Sequence, residues 1–298
     1  MRTCTGVCLL LVLGIGAAGG DGAASRALAY TRFTHSGSRL YLLDLRSGKS
    51  RALAPAEARA GEPGWSHDGQ QLVFSAYSAD GRRQGLKILD HLGRVRWITS
   101  HRFDPQHTVL DDHPQWSPDG GKIVFHEFRA PATYRINVLR LRQGSTTTIA
   151  SGFEPSWSPD GRSLAFANRS RPDGTFHIYL MSADGTGIRR LTATLANEGE
   201  PSWSPDGKQI AFVRRVDGDD EIMRMNADGS EIRRLTYVPG EDVAPTWSPD
   251  GSQIAFASRR RLGQWDLFLM SSDGRNQHRV TQSRLDETQP VWQPSPSK

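Results

Sequence analysis

A tryptophan that follows a proline by two residues recurs six times along this chain of 298 residues. Successive tryptophans are separated by 41 to 51 residues, which is the length of a repeating structural unit rather than the period of a helix or strand. Repeats of this size indicate a fold built from similar units packed side by side. The six tryptophans are Trp65, Trp116, Trp157, Trp203, Trp247 and Trp292.

Five of these tryptophans are followed directly by a turn sequence of serine, proline or histidine, aspartate and glycine. Proline presets the backbone of a type I turn, serine and aspartate can bind nearby backbone groups, and glycine adopts the left-handed conformation. Each tryptophan is therefore predicted to end the first strand of a hairpin. The five turns are Ser66–Gly69, Ser117–Gly120, Ser158–Gly161, Ser204–Gly207 and Ser248–Gly251.

A short apolar run follows each turn, as in Leu72–Phe74 and Ile254–Phe256. These runs are continuous rather than alternating, which predicts strands that are buried on both faces. A third strand such as Ile178–Met181 and a fourth such as Arg189–Thr192 complete the unit. Four strands in a unit of about 45 residues match one blade of a β-propeller.

The strand count predicts how the ring closes. The last tryptophan strand, Pro290–Trp292, has no partner strands after it, whereas three strands precede the first tryptophan. We therefore predict an all-β, six-bladed β-propeller of four-stranded antiparallel blades, in which the C-terminal strand pairs with the three N-terminal strands. This single domain would occupy residues 25–298. The three N-terminal strands are Leu28–Tyr30, Leu40–Leu43 and Ser50–Leu53.

The repeat resembles that of the TolB-like propellers. It reads Pro-x-Trp-Ser-Pro-Asp-Gly-x-x-Ile-Ala-Phe, followed by Ile-Tyr-x-Met-x-Ala-Asp-Gly and Arg-Arg-Leu-Thr, and it extends over residues 27–294. TolB is periplasmic, and similar repeats precede the catalytic domain of prolyl oligopeptidase-like peptidases. We expect neither the α/β domain that precedes the propeller in TolB nor the hydrolase domain of the peptidases. The resemblance therefore implies the fold and leaves the function to the site residues.

Residues 1–24 are typical of a secretory signal peptide. Arg2 is the basic start, residues 7–18 form an apolar run, and small residues lead to a cleavage site predicted near Ala24. The run is too short to span a bilayer, so we predict a periplasmic protein without stable membrane insertion. Both cysteines, Cys4 and Cys8, would be removed with the signal, so the mature protein would fold without disulfides.

Several classes of function are disfavoured by the sequence. The net charge is +5, but the basic residues are scattered and Arg259–Arg261 is the only run of three, so we predict no nucleic-acid binding. The run Ser66-His67-Asp68 contains the residue types of a catalytic triad, but neighbours within one turn cannot adopt triad geometry. Nucleotide-loop, zinc-protease and EF-hand motifs are absent from the sequence. We therefore predict no enzymatic activity and no cofactor.

Histidines in the second unit suggest an alternative. A hairpin around residues 118–121 would place His113 opposite His126 and beside Asp112, and these residue types suit a transition metal. This stretch also resembles oligogalacturonate lyases, which implies a metal-dependent enzyme acting on an acidic saccharide. The acidic run Asp217–Glu221 is a candidate for calcium, although its hairpin position favours a solvated turn. The four histidines are His101, His107, His113 and His126.

An acidic residue lies directly before, or a few residues before, the proline of every tryptophan strand. In a propeller the loops leading into these strands gather at one mouth of the central channel. Each carboxylate would either accept hydrogen bonds from a neighbouring blade or contribute to a site for a cationic group. We predict a monomeric, non-enzymatic module that binds a protein or peptide of the cell envelope at this face. The predicted partner-binding residues are Glu62, Asp112, His113, Glu154, Glu200, Asp242 and Glu287.

Overall fold

The computed structural model describes residues 27–53, 59–102, 104, 108–169, 174–261 and 263–294. In this part of the chain every helix or strand that forms is a β-strand, as predicted. None of it is a helix long and apolar enough to cross a membrane. The predicted signal peptide, residues 1–24, and its cleavage site lie outside the described residues.

The strands form six sheets, called blades 1 to 6. Blade 1 contains β4 (Arg59–Trp65), β5 (Gln71–Tyr77), β6 (Arg83–Asp90), β7 (Val95–Trp97) and β8 (His101–Arg102). Blade 2 contains β9 (Val109–Trp116), β10 (Lys122–Arg129), β11 (Thr133–Arg140) and β12 (Ser145–Ser151). Blade 3 contains β13 (Phe153–Trp157), β14 (Ser163–Arg169), β15 (Phe176–Ser182) and β16 (Arg189–Arg190).

The remaining blades repeat this order. Blade 4 contains β17 (Glu198–Trp203), β18 (Gln209–Val216), β19 (Asp219–Asn226) and β20 (Arg233–Arg234). Blade 5 contains β21 (Asp242–Trp247), β22 (Gln253–Arg261), β23 (Gln264–Ser271) and β24 (His278–Arg279). Blade 6 combines β25 (Glu287–Trp292) with β1 (Ala27–Thr34), β2 (Gly37–Asp44) and β3 (Lys49–Ala52).

Each blade is an antiparallel meander with its tryptophan strand at one edge of the sheet. The tryptophan strands contact one another in chain order, and β25 contacts β4, which completes a circle. These strands therefore line a central channel. In blade 1 the two-residue strand β8 also pairs with β6. The predicted six-bladed propeller of four-stranded antiparallel blades is confirmed.

The ring closes through blade 6. Strand β25 pairs antiparallel with β1, so that Trp292 lies opposite Leu28 and Glu287 lies opposite Arg32. The order of strands in this sheet is β25, β1, β2, β3. The predicted pairing of the C-terminal strand with three N-terminal strands is therefore confirmed.

The hairpin turns have the chemistry that their sequence predicts. The Ser66 hydroxyl donates to Asp68 Oδ1 at 2.6 Å and accepts the backbone N–H of Gln71 at 2.9 Å. Gly69 and its four counterparts have φ between 66° and 71°, where glycine is favoured. His67 occupies the proline position of the turn. Because Asp68 is bonded to Ser66, these three residues serve as a turn and not as a triad.

Consecutive blades pack face to face through the apolar side chains of their second and third strands. The packing between blades 6 and 1 joins Leu40 and Leu42 to Leu72 and Phe74. A phenylalanine is fully buried at the equivalent position of five blades, and Tyr30 replaces it in blade 6. Burial on both faces explains why these strands have continuous apolar sequences. The five phenylalanines are Phe74, Phe125, Phe166, Phe212 and Phe256.

We expect the substitution Gly64→Ala to destabilise the ring. A Cβ atom at Gly64 would lie 2.6 Å from the carbonyl oxygen of Pro114 on the next blade, and backbone cannot move aside easily. Overpacking of this kind costs about 1–3 kcal/mol. Gly61→Ala in the same strand is the matched control, because its nearest atom would be 3.6 Å away. Equal urea midpoints for the two variants would contradict this expectation.

Candidate functional site

The residue before the proline of each tryptophan strand adopts a left-handed backbone conformation. These six residues have φ between 52° and 55°, and the strand pairing shifts register beside each of them. Positive φ is uncommon for residues other than glycine, so its recurrence in all six blades marks a structural device. We call the six residues the channel ring: Glu62, His113, Glu154, Glu200, Ala244 and Gln289.

Acidic members of the channel ring bind the backbone of the next blade. Glu62 Oε2 accepts the N–H of His113 at 2.6 Å, and Glu154 Oε2 accepts the N–H of Glu200 at 2.8 Å. Glu200 Oε2 likewise accepts the N–H of Ala244. Each of these carboxylates therefore satisfies a backbone donor that the bulge removes from the strand pairing. These three acids accept hydrogen bonds from the neighbouring blade, which is one of the two roles predicted for them.

The other positions vary this pattern. Gln289 Oε1 accepts the N–H of Glu62 at 3.1 Å, so an amide does the work of a carboxylate. Its Nε2 also donates to Glu62 Oε1 at 3.2 Å. Between blades 2 and 3 the acceptor is His126 Nδ1, which lies 3.3 Å from the N–H of Glu154. Ala244 has no side-chain acceptor to offer the next blade.

The channel ring lines a central cavity of about 680 Å³. The six prolines that follow the ring residues, together with Trp65 and Trp292, supply apolar walls. Phe33 near the end of β1, Trp265 near the start of β23 and Asp286 in the loop before β25 lie at one mouth of the cavity. The cavity thus combines apolar surface with a few carboxylates, a composition that is typical of binding sites. The prolines are Pro63, Pro114, Pro155, Pro201, Pro245 and Pro290.

Glu62 and His113 form an ion pair within the ring. Nδ1 of His113 lies 3.2 Å from Glu62 Oε2. Burial disfavours both charged forms, but mutual attraction outweighs it, so the pKa of Glu62 falls to about 2 and the pKa of His113 rises to about 10. Burial and the charge of His113 lower the pKa of His126 to about 3. At neutral pH the pair is ionised and His126 is neutral.

The other carboxylates of the ring are harder to ionise. Burial raises the pKa of Glu154, and burial together with repulsion from Glu154 raises the pKa of Glu200 to about 7. Burial and repulsion from Glu62 raise the pKa of Asp112 to about 7 as well. A positive charge in the cavity would favour the ionised forms of Glu154 and Glu200.

The structure separates the seven predicted partner-binding residues into two sets. Glu62, His113, Glu154 and Glu200 line the cavity together. Asp112 precedes the ring by one residue and lies opposite His126 in the strand pairing, outside the cavity lining. Asp242 and Glu287 precede the ring by two residues and are fully buried. They form ion pairs with Arg260 and Arg32, respectively.

His113 and His126 do come together, although not as direct cross-strand partners. The bulge at His113 places Asp112 opposite His126, and the two imidazole rings have centroids 5.0 Å apart. His107 lies outside the described residues. Within the described ranges, the one group that places three metal-ligating atoms within 4.8 Å of one another is His101, Asp111 and Glu127.

The acidic run of residues 217–221 is used by the propeller itself. Asp217 has φ 53° in the tight turn between β18 and β19. Asp219 Oδ2 accepts the N–H of Gly240 at 3.1 Å, and Glu221 Oε1 lies 2.7 Å from Arg234. This arrangement agrees with a polar turn, and these residues do not gather their carboxylates around one point.

Apolar side chains near the mouth of the channel were not foreseen from the sequence. Leu195 and Tyr237 are exposed in the loops that lead into blades 4 and 5, and Val238 follows Tyr237. Phe33, near the end of β1, is also exposed and lines the cavity. These loops lie at the same end of the blades as the loop that contains Asp286. We call Phe33, Leu195, Tyr237 and Val238 the apolar rim. Their exposure could have been suspected from the sequence, because they interrupt otherwise polar connections.

Comparisons with known proteins agree with this architecture. Residues 106–240 match the family described as TolB beta propeller domain. TolB from Acinetobacter baumannii has a TM-score of 0.77 and 22% identity, with 92% of this chain and 68% of that chain covered. A putative TolB from Agrobacterium tumefaciens has a TM-score of 0.65 and 24% identity, with 87% and 89% covered.

The same fold also occurs in an enzyme. An oligogalacturonate lyase in complex with manganese has a TM-score of 0.60 and 20% identity, with 87% of this chain and 74% of that chain covered. No protein with a curated description matches the sequence. Similarities at this level of identity establish the fold, so the function has to be argued from the channel itself.

Proposed function

We propose that this TolB-like six-bladed β-propeller is a non-enzymatic binding module of the cell envelope that holds a basic segment of a protein or peptide at its channel. The observation that carries the proposal is the pair of neighbouring carboxylates, Glu154 and Glu200, in a cavity whose walls combine apolar surface with a few polar side chains. Their raised pKa values show that burial in the cavity disfavours their ionised forms, which a cationic side chain beside them would stabilise.

The two carboxylates have capacity left for a ligand. Each uses Oε2 to accept a backbone N–H of the next blade. Within the described part of the chain, the hydrogen bonds that these two side chains accept use Oε2, and none involves Oε1 of Glu154 or Glu200. An ammonium or guanidinium group entering from the mouth could donate to these free oxygens without displacing the backbone bonds.

The apolar rim supports a peptide rather than a bare cation as the ligand. Leu195, Tyr237 and Phe33 offer exposed apolar surface around the mouth. Binding of a chain segment would bury this surface while one basic side chain enters the cavity. A buried anchor surrounded by apolar contacts is the common arrangement of protein interfaces.

The proposed location rests on the predicted signal peptide and on the likeness to TolB. We propose export to the periplasm, with the mature propeller acting as a monomer. An enzyme centred on His113 and His126 has less support, because the Nδ1 atoms of both rings already face protein groups, Glu62 and the N–H of Glu154. The channel therefore supports a binding site better than a catalytic site.

The partner can be captured at the rim. A photo-reactive amino acid introduced at Leu195 should cross-link the bound segment in living cells, and mass spectrometry should identify it. The same residue introduced at Ile188, which is exposed in the turn between β15 and β16 at the opposite end of the blade, is the matched control. Capture at both positions alike, or at neither, would contradict binding at the channel mouth.

The double variant Glu154→Gln/Glu200→Gln should weaken binding of the captured segment at least tenfold. Glutamine keeps an oxygen for the backbone N–H, as Gln289 already does, so the ring should remain intact. Glu231→Gln, an exposed acid paired with Arg233, is the control for a change of charge. Fluorescence anisotropy should also show tighter binding as the pH rises through about 7, where Glu200 ionises. Unchanged affinity in the double variant would refute the proposal.

A further inference from the structure

The position two residues before the channel ring holds a buried acid in four blades. In blade 4 it is Glu198, which lies opposite Arg214 in the strand pairing and 2.8 Å from its Nε. In blade 6 it is Glu287, which lies opposite Arg32 and 2.6 Å from its Nη2. The usual solution in this propeller is therefore an acid neutralised by an arginine on the adjacent strand.

Blade 2 departs from this solution. Its acid is Asp111, and the residue opposite Asp111 on β10 is Glu127. Both are buried, with 1% and 6% of their surfaces exposed. Two carboxylates facing each other in a buried cross-strand pair repel one another, so this position requires a positive charge from elsewhere.

The protein groups around these acids satisfy them incompletely. Asp111 Oδ2 accepts the Thr99 hydroxyl at 2.6 Å and lies 2.8 Å from His101 Nε2. Glu127 accepts two hydrogen bonds from Arg129, whose side chain is half-exposed. Asp111 Oδ1 is buried without a hydrogen-bond partner. A buried carboxylate oxygen in this state is the kind of group that binds a cation.

We propose that His101, Asp111 and Glu127 bind a divalent transition metal ion. Their three ligand atoms lie within 4.8 Å of one another, so small side-chain rotations bring them to the metal–ligand distances of about 2.0–2.2 Å. One imidazole and two carboxylates suit ions such as Mn²⁺, Co²⁺ or Zn²⁺. The ion places a positive charge between Asp111 and Glu127, where blades 4 and 6 have the guanidinium group of the arginine opposite the acid.

The site would connect two blades. His101 belongs to β8, which pairs with blade 1, whereas Asp111 and Glu127 belong to blade 2. A metal bound to all three would therefore fasten the segment between the blades to the second blade. This site is separate from the channel, so it can be tested independently of the proposed function.

The test uses the full chain, freed of metal with a chelator, and the ions Mn²⁺ and Co²⁺ as probes. Electron paramagnetic resonance follows the loss of the free Mn²⁺ signal, and visible absorption follows Co²⁺. We expect one equivalent to bind and the thermal midpoint of unfolding to rise with added ion. The variant Glu127→Arg restores the acid–arginine pattern of blade 4, so it should fold well and bind each ion at least tenfold more weakly.

The controls separate this site from adventitious histidine binding. His278→Ala removes an exposed imidazole on β24 and should leave the stoichiometry and affinity unchanged. Asp111→Asn removes one ligand charge and should also weaken binding at least tenfold. Failure of both ions to bind at one equivalent, or equal binding by the Glu127→Arg variant, would overturn the proposal.

Discussion

Removal of residues 287–298, which include the closing strand β25, is expected to abolish cooperative folding of the propeller. Without β25, the edge of β1 loses its partner, and blade 6 is left with three strands. The loss includes the buried side chain of Trp292 and the ion pair of Glu287 with Arg32. Trp292 alone is a side chain of the type whose removal costs about 3–5 kcal/mol.

The loss spreads beyond blade 6 because Trp292 belongs to the packing between blades 5 and 6. There it joins Leu28 and Tyr30 to Ala255 and Leu267. Taken with the lost strand pairing, the deficit approaches the whole stability of about 5–15 kcal/mol that a domain has. The newly exposed β1 edge would also favour association between molecules.

Circular dichroism during heating and size-exclusion chromatography test this expectation. The control is a shorter truncation that removes only residues 295–298 and retains β25. A synthetic peptide of residues 285–298 added in trans should restore part of the cooperative transition. A monomeric truncated protein that unfolds within a few degrees of the full chain would show that closure contributes little.

The fold could be predicted because its signals are local. The turn Ser66–Gly69 depends on side chains and backbone within six residues, so its geometry follows from its sequence. The closure of the ring required no knowledge of contacts, since Pro290–Trp292 was a first strand without partners and the N-terminal strands lacked a first strand. Counting strands was therefore enough to predict the pairing of β25 with β1.

The site could be predicted only in part, because the bulge changes which way each side chain points. Glu198 and Glu200 are two residues apart and both precede Pro201. In a regular strand they would share one face. The positive φ of Glu200 and the shift in register beside it send Glu200 to the cavity, whereas Glu198 is buried against Arg214. Sequence proximity to proline could not distinguish these two roles.

The carboxylate pair of Asp111 and Glu127 in blade 2 could have been predicted from the sequence by comparing the blades strand by strand. The histidines of the second unit point instead to His113 and His126, whose imidazole rings have centroids 5.0 Å apart. Aligning second strands between blades would have placed Glu127 where blade 4 has Arg214. A reversal of charge at a repeated buried position is a stronger signal than a cluster of histidines, since the repeat itself supplies the expected residue.

Replacement of the buried arginine in blade 5 should have the second largest effect. Arg260 is 7% exposed at its side chain, and its Nε lies 3.1 Å from Asp242 Oδ1. The guanidinium also donates to Gln277 Oε1 at 2.6 Å. Arg260→Met would leave the carboxylate of Asp242 buried without its counter-charge, and breaking a buried pair in this way costs about 3–5 kcal/mol.

A matched substitution and a double variant test whether the unpaired charge of Asp242 causes the destabilisation. Arg259→Met makes the same chemical change next door, but Arg259 is 42% exposed and pairs with Glu241 at the surface, so we expect at most about 1 kcal/mol. Adding Asp242→Asn to Arg260→Met removes the unpaired charge and should recover at least half of the lost free energy of unfolding. Equal losses in the two arginine variants would show that the buried pair is not what stabilises the blade.

The pH dependence of the stability lost in Arg260→Met tests the same explanation independently. Burial already raises the pKa of Asp242 in the folded protein, and loss of Arg260 removes an opposing influence. A carboxyl whose folded pKa exceeds its unfolded value destabilises the protein increasingly as the pH rises above about 4, the unfolded value. The deficit of Arg260→Met should therefore shrink as the pH is lowered from 7 toward 4, as measured by urea unfolding. A deficit that stays constant over this range would mean that lost packing against Phe256 and Phe268, rather than unpaired charge, is responsible.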